Sequence, residues 1–140
     1  MPTPCAFDYA VVRVVPRVER EEFINAGVIL HCADHDYLDA RIELCEARLR
    51  ALAPDVDVEL VRRHLEAIPR VCAGGPGAGP IGQLPKKERW HWLTAPRSTI
   101  LQVSPAHTGL CDAPAATLER LLDRLVRVPG AAAGAPGSRR

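Results

Sequence analysis

Two groups of residues in this chain combine types and spacings that could do chemistry. The first gathers Arg13, Arg17, Glu22 and Asn25, with Glu19, Arg20 and Glu21 between them. Guanidinium forks bind carboxylate or phosphate groups in a bidentate manner, and Glu or Asn side chains can hold such forks in place. The same set also describes a solvated charged loop whose ion pairs contribute little. Arg13 stands apart, because it interrupts a run of valines, where a charge must face solvent, a partner or a ligand. The second group is Arg97, Ser98, Thr99, Ser104, His107, Thr108 and Cys111. A histidine beside small hydroxyls on a Gly/Pro-containing loop suits anion binding, and Cys111 with His107 would form a thiolate–imidazole pair if the loop folds them together. The alternative is that Thr108 and Gly109 shape a turn, Asp112 caps the following helix and Cys111 packs inside. No orienting acid completes a catalytic set, so the residues favour a binding protein over an enzyme.

Three weaker constellations yield to structural readings. The stretch His31 to Asp36 contains zinc-ligand types, but no second cluster with zinc-like spacing follows, and a turn with Cys32 on a buried face accounts for it. The Gly74–Pro80 run lacks the Gly-Lys-Ser/Thr ending of a phosphate loop, and its prolines remove N–H donors. Trp90 and Trp92 beside Lys86, Lys87 and Arg89 could stack nucleic-acid bases, yet a tryptophan core anchor explains them as well. No metal or cofactor is expected.

The elements that must position these residues follow from periodicity. Residues 7–15 read as a strand with one face fully buried, ended by Pro16. Residues 23–32 read as a second strand in which Gly27 marks a bulge or a close backbone approach. Leu38, Ala40, Ile42 and Leu44 alternate with charged residues, which makes a half-exposed third strand after the Asp34–Asp36 turn. Three sequential strands on short links imply an antiparallel meander. Val58, Val61, Leu65, Ile68 and Cys72 step as a helix that Asp55 or Asp57 can cap and that Pro69 should kink or end early. Pro85 opens a short helix with Trp90 and Leu93, residues 98–104 read as a fourth strand, and 105–111 read as a loop. Leu118, Leu121, Leu122 and Leu125 mark a last helix stopped by Pro129. The order predicts an α+β fold: one antiparallel sheet of about four strands, meander first, with helices packed on one face. Residues 1–128 form a single domain, and the Ala/Gly/Pro/Arg-rich residues 129–140 form a disordered tail.

Composition narrows the classes of function. The 140 residues include 47% hydrophobic and 25% charged, ordinary for a globular domain, with a formal net charge of +1. Such a balance provides no long-range field to recruit nucleic acid or an anionic membrane. Five cysteines without a CxxC pair, and an N-terminus lacking a basic start or apolar run, predict reduced thiols in a cytoplasmic protein with no membrane span.

Three segments together carry a family likeness: Tyr9-Ala-Val-Val-Arg-Val-Val-Pro-Arg-Val-Glu-Arg20, Phe23-Ile-Asn-Ala-Gly-Val-Ile-Leu30, and Ala95-Pro-Arg-Ser-Thr-Ile-Leu-Gln-Val-Ser-Pro-Ala-His-Thr-Gly-Leu-Cys111. With them the chain resembles the bacterial "domain of unknown function 3037" family from about Phe7 to Val126. The resemblance brings no catalytic residues. It implies a small accessory or interaction protein, because members are often encoded beside a HipA-like serine/threonine kinase, in a regulatory or toxin–antitoxin-like setting. The alternative is an enzyme or ligand-binding domain for a phosphate- or carboxylate-bearing molecule, with Arg13, Arg17 and Asn25 meeting Arg97, Ser104 and His107 in one cleft.

Overall fold

Valine-rich residues form the central strand β1 (Cys5–Val14), where side-chain alternation sends Ala10, Val12 and Val14 to one face. Phe7 and Tyr9, and by the same alternation Arg13, point to the other. The computed structural model describes residues 4–97 and 99–128; Ser98, Pro129 and the expected tail lie outside the described residues. Strands β2 (Ile24–Cys32) and β3 (Tyr37–Ile42) continue the antiparallel meander, so the first half of the chain folds as its patterning implies. On the far side of β1 lie β4 (Leu101–Val103) and β5 (His107–Cys111), giving five strands in one sheet.

β4 and β5 lie end to end. Val12 pairs with Val103 and Tyr9 with His107, so the register slips by one residue and Pro105–Ala106 bulges opposite Ala10. Proline is tolerated there because a bulged edge residue owes no ladder bond. The predicted fourth strand is therefore shorter than residues 98–104. The predicted loop over 105–111 is instead largely strand, because the bulge lets pairing with β1 resume at His107.

The α+β class and the single antiparallel sheet hold, but the helices do not share one face. α1 (Glu46–Leu52), α2 (Val58–Ala73) and α3 (Lys86–Thr94) bury Leu49, Val61, Leu65, Trp90 and Leu93 against Val12, Val14 and Ile29. α4 (Pro114–Leu125) covers the opposite face, with Leu118 and Leu122 against Phe7, Val28, Leu30 and Cys32. The physical reason lies in β2, buried continuously from Ala26 to Cys32. A strand apolar on both sides needs cover on both.

Gly27 meets both expectations for it. The register shifts between Val12 and Arg13 opposite it, and a Cβ there would stand 2.7 Å from the Arg41 carbonyl oxygen. This bulge switches the parity of β2. Ile24 and Ala26 share the α2 face with Ile29, whereas Val28 and Leu30 face α4.

Local signals fared unevenly. Asp57 caps α2, its carboxylate accepting from Leu60 N–H at 3.1 Å. Pro69 does not end α2, which runs on to Ala73. Asp112 does not cap α4; Ala113 holds the N-cap position and Pro114 opens the first turn, where a missing N–H costs nothing. Helix α1 carries too short an apolar pattern to have been anticipated.

His31 illustrates how burial sets a charge state. Its ring stacks on Trp90 at 5.8 Å, and desolvation pushes its pKa below the ordinary 6.5 against the opposing pull of Asp8. A histidine neutral in the fold and protonatable when unfolded contributes fully above pH 6.5, and that contribution is lost as pH falls below 6.5 toward and through the lower folded pKa. Urea midpoints are thus expected to hold between pH 7.5 and about 7 and to drop as pH is lowered below 6.5, and His31→Gln should flatten the drop. An unchanged slope in that variant would refute the assignment.

Candidate interaction site

On the sheet face that carries α4, the helix lies chiefly over β2 and β3. Beside the C-terminal end of α4, Gln102, Arg13 and Asn25 sit side by side across β4, β1 and β2. Alternation along β1 puts Tyr9 on the same face as Arg13, with His107 against it at 5.2 Å between rings. Arg13 and Asn25 are paired directly with each other just past the Gly27 bulge, so their juxtaposition is a property of the sheet.

The Arg13 guanidinium lies over the Phe23 ring, 4.2 Å from its centroid. This stack answers how a charge enters a valine run: one π face of the guanidinium is covered by the aromatic ring. Phe23 itself is 43% exposed, an unusual position for one of only two phenylalanines. Asn25 donates from Nδ2 to the Leu125 carbonyl at the end of α4, 3.0 Å away. Arg13 Nε and Asn25 Oδ1 are buried without a hydrogen-bond partner among the described residues. A donor and an acceptor left unsatisfied on neighbouring positions each carry a desolvation cost of about 1–3 kcal/mol.

The other sequence-selected residues are placed elsewhere or engaged. Arg17 and Glu22 lie in the exposed β1–β2 connection, where Arg17 meets Asp55 at 3.8 Å and Glu22 meets Arg20 at 2.6 Å. The Arg20 guanidinium holds the Glu22 carboxyl below the usual carboxylate range. Arg97 is on the α2 side of the sheet. It lies over Trp92 at 4.5 Å and donates to the Trp92 carbonyl at 2.6 Å and to that of Leu93 at 3.2 Å, closing the end of α3.

Ser104 is buried at the strand break. Its hydroxyl accepts from Val11 N–H and donates to the Pro105 carbonyl, both at 2.9 Å. The Thr108 hydroxyl donates to Asp8 at 2.8 Å. Arg13, Asn25 and His107 therefore share one face, while Arg97 stands on the other.

Nucleophilic chemistry at Cys111 finds no geometry. His107 and Cys111 occupy the same strand four residues apart, a rise of roughly 13 Å. Burial raises the Cys111 thiol pKa, and pushes that of Cys72 up to about 12. Phe23 and Gln102 were not selected from sequence. An aromatic residue directly after a charged loop was the available signal for Phe23; none existed for Gln102 before the pairing of β4 was known.

No helix among the described residues is long and apolar enough to cross a membrane. A family model described as "Protein of unknown function (DUF3037)" matches residues 9–126, which include every residue of the Arg13 row and of α4. No curated protein and no solved structure matches the chain.

Proposed function

We propose that this chain, which belongs to the DUF3037 family of proteins of unknown function, is an accessory interaction domain that engages a partner through its Arg13 face. The observation that carries the reading is the exposed Phe23 ring stacked on the Arg13 guanidinium, with Asn25 and Gln102 paired on either side of Arg13. Cation, amide and aromatic ring together suit the carboxylate and apolar groups of a protein surface, and Arg with an aromatic anchor is the usual composition of an interface hot spot. The partner in this reading is a HipA-like serine/threonine kinase, in a regulatory or toxin–antitoxin-like pairing, of the kind the family resemblance suggests. A cytoplasmic setting suits the buried thiols of Cys32, Cys72 and Cys111.

The rival reading, an enzyme or ligand-binding domain for a phosphate- or carboxylate-bearing molecule, needs Arg97 and Ser104 beside Arg13. It loses support because Arg97 closes α3 and Ser104 bridges the edge strand.

Co-expression with a HipA-like serine/threonine kinase and affinity purification tests the proposal. A complex is expected whose affinity falls about tenfold or more in Arg13→Ala and in Phe23→Ala. Absence of a complex, together with unchanged kinase activity, would sink it.

A further inference from the structure

We infer that strand β4 and the cleft beside it receive an extended segment of another protein, which adds to the sheet edge as a strand. Two main-chain bonds fix which way β4 faces: Val15 N–H to the Ile100 carbonyl at 2.7 Å, and Ser104 N–H to the Val11 carbonyl at 2.9 Å. Antiparallel ladders alternate, so Ile100, Gln102 and Ser104 turn their main-chain groups to β1, and Leu101 and Val103 turn theirs away from it. The Thr99 hydroxyl takes the Leu101 carbonyl at 2.8 Å. The Leu101 N–H and both main-chain groups of Val103 are then directed outward, at the end of the strand order.

The side chains beside that edge are shaped to match. Leu101, Val103 and Val12 floor a cleft of about 220 Å³, walled by Ala67 and Ile68 of α2 and by Trp92 of α3. Trp92 is 42% exposed. A strand laid along β4 would send every second side chain into this cleft while its backbone met the outward groups. A small apolar molecule would use the cleft and leave those groups unmet.

The opposite edge shows the contrast. On β3 the Asp39 carboxylate takes the adjacent Ala40 N–H at 2.8 Å, the kind of charge that blunts an edge against pairing. β4 carries no charge of its own. Among the described residues Arg97 is the formally charged one lining the cleft, so the segment that fits has apolar residues at alternate positions and an Asp or Glu nearby.

Random dodecapeptides displayed on phage, panned against the full chain, provide the probe. Recovered peptides should show apolar alternation with an acidic residue. Their synthetic forms should bind at least about tenfold more weakly to Val103→Pro and to Ala67→Trp. Proline at 103 removes an N–H that β1 does not use, and tryptophan at the exposed position 67 fills the cleft from a helix surface, so at least one variant retains the fold, as thermal melting will verify. Arg13→Ala should leave peptide binding unchanged, which separates this inference from the kinase reading. The inference is overturned if no sequence is enriched over bare support or if enriched peptides bind Val103→Pro as well as the parent. It is also overturned by a concentration-dependent dimer that Val103→Pro abolishes, since that would assign the edge to a second copy.

Discussion

Replacing Arg89 with methionine is expected to lower the unfolding free energy by about 3–5 kcal/mol, among the largest effects a single substitution produces. Arg89 lies in α3 and is only 8% exposed. Its guanidinium donates to three main-chain carbonyls: Leu84 at 2.8 Å, Val71 at 2.9 Å and Cys72 at 2.6 Å. Val71 and Cys72 belong to the last turn of α2, whose carbonyls have no partner within the helix and carry the negative end of its dipole. A buried cation here closes α2 and ties it to α3.

Methionine conserves much of the volume, so the loss isolates the hydrogen bonds and the buried carbonyls left behind, each costing about 1–3 kcal/mol. Against a typical stability of about 5–15 kcal/mol, such a loss leaves a marginal fold. Urea denaturation followed by far-UV circular dichroism measures it. A shift below about 1 kcal/mol would show that solvent reaches those carbonyls after all.

Gly27→Val should cost nearly as much, about 2–4 kcal/mol, through overpacking. A Cβ at position 27 would sit 2.5 Å from Ile42 Cδ1 and 2.7 Å from the Arg41 carbonyl oxygen. The isoleucine methyl can rotate away; the carbonyl belongs to the β3 ladder and moves only if the ladder opens. The glycine is required for space and not for its backbone angles, since its φ lies outside the left-handed region. Gly27→Ala should therefore already be destabilising. Gly77, whose added Cβ would meet nothing within 4 Å, is the control, and Gly77→Ala should leave the urea midpoint unmoved.

These two positions were read differently from sequence, and the difference is instructive. Gly27 announced itself: a glycine inside an otherwise apolar strand points to a bulge or a close approach, and both occur there. Arg89 appeared as one cation of a Lys-Lys-Glu-Arg surface run beside two tryptophans, a possible stacking surface. Only the docking of α3 against the end of α2 turns it inward. Arg97 followed the same course, since a guanidinium that looks free in sequence finds the nearest unsatisfied helix end. The placement of α4 could have been read from the unbroken apolar stretch of β2, whose two buried faces demand two covers.

The amino-acid sequence by itself determined the meander, the cap and period of α2, the start of α3 after Pro85, the bulge at Gly27 and the anomaly of Arg13. All of these are set by interactions between residues near in the chain or by the side-chain period of a strand. The tertiary structure alone decided which polar groups remain available. β1 collects β2 on one side and, from some ninety residues later, β4 and β5 on the other. That pairing sets Gln102 and Asn25 beside Arg13, absorbs Ser104 into the strand break, and leaves Leu101 and Val103 at an open edge. Hydrogen-bond satisfaction is a long-range condition: whether a donor is consumed or exposed depends on what the fold brings to it, and local sequence carries no record of that.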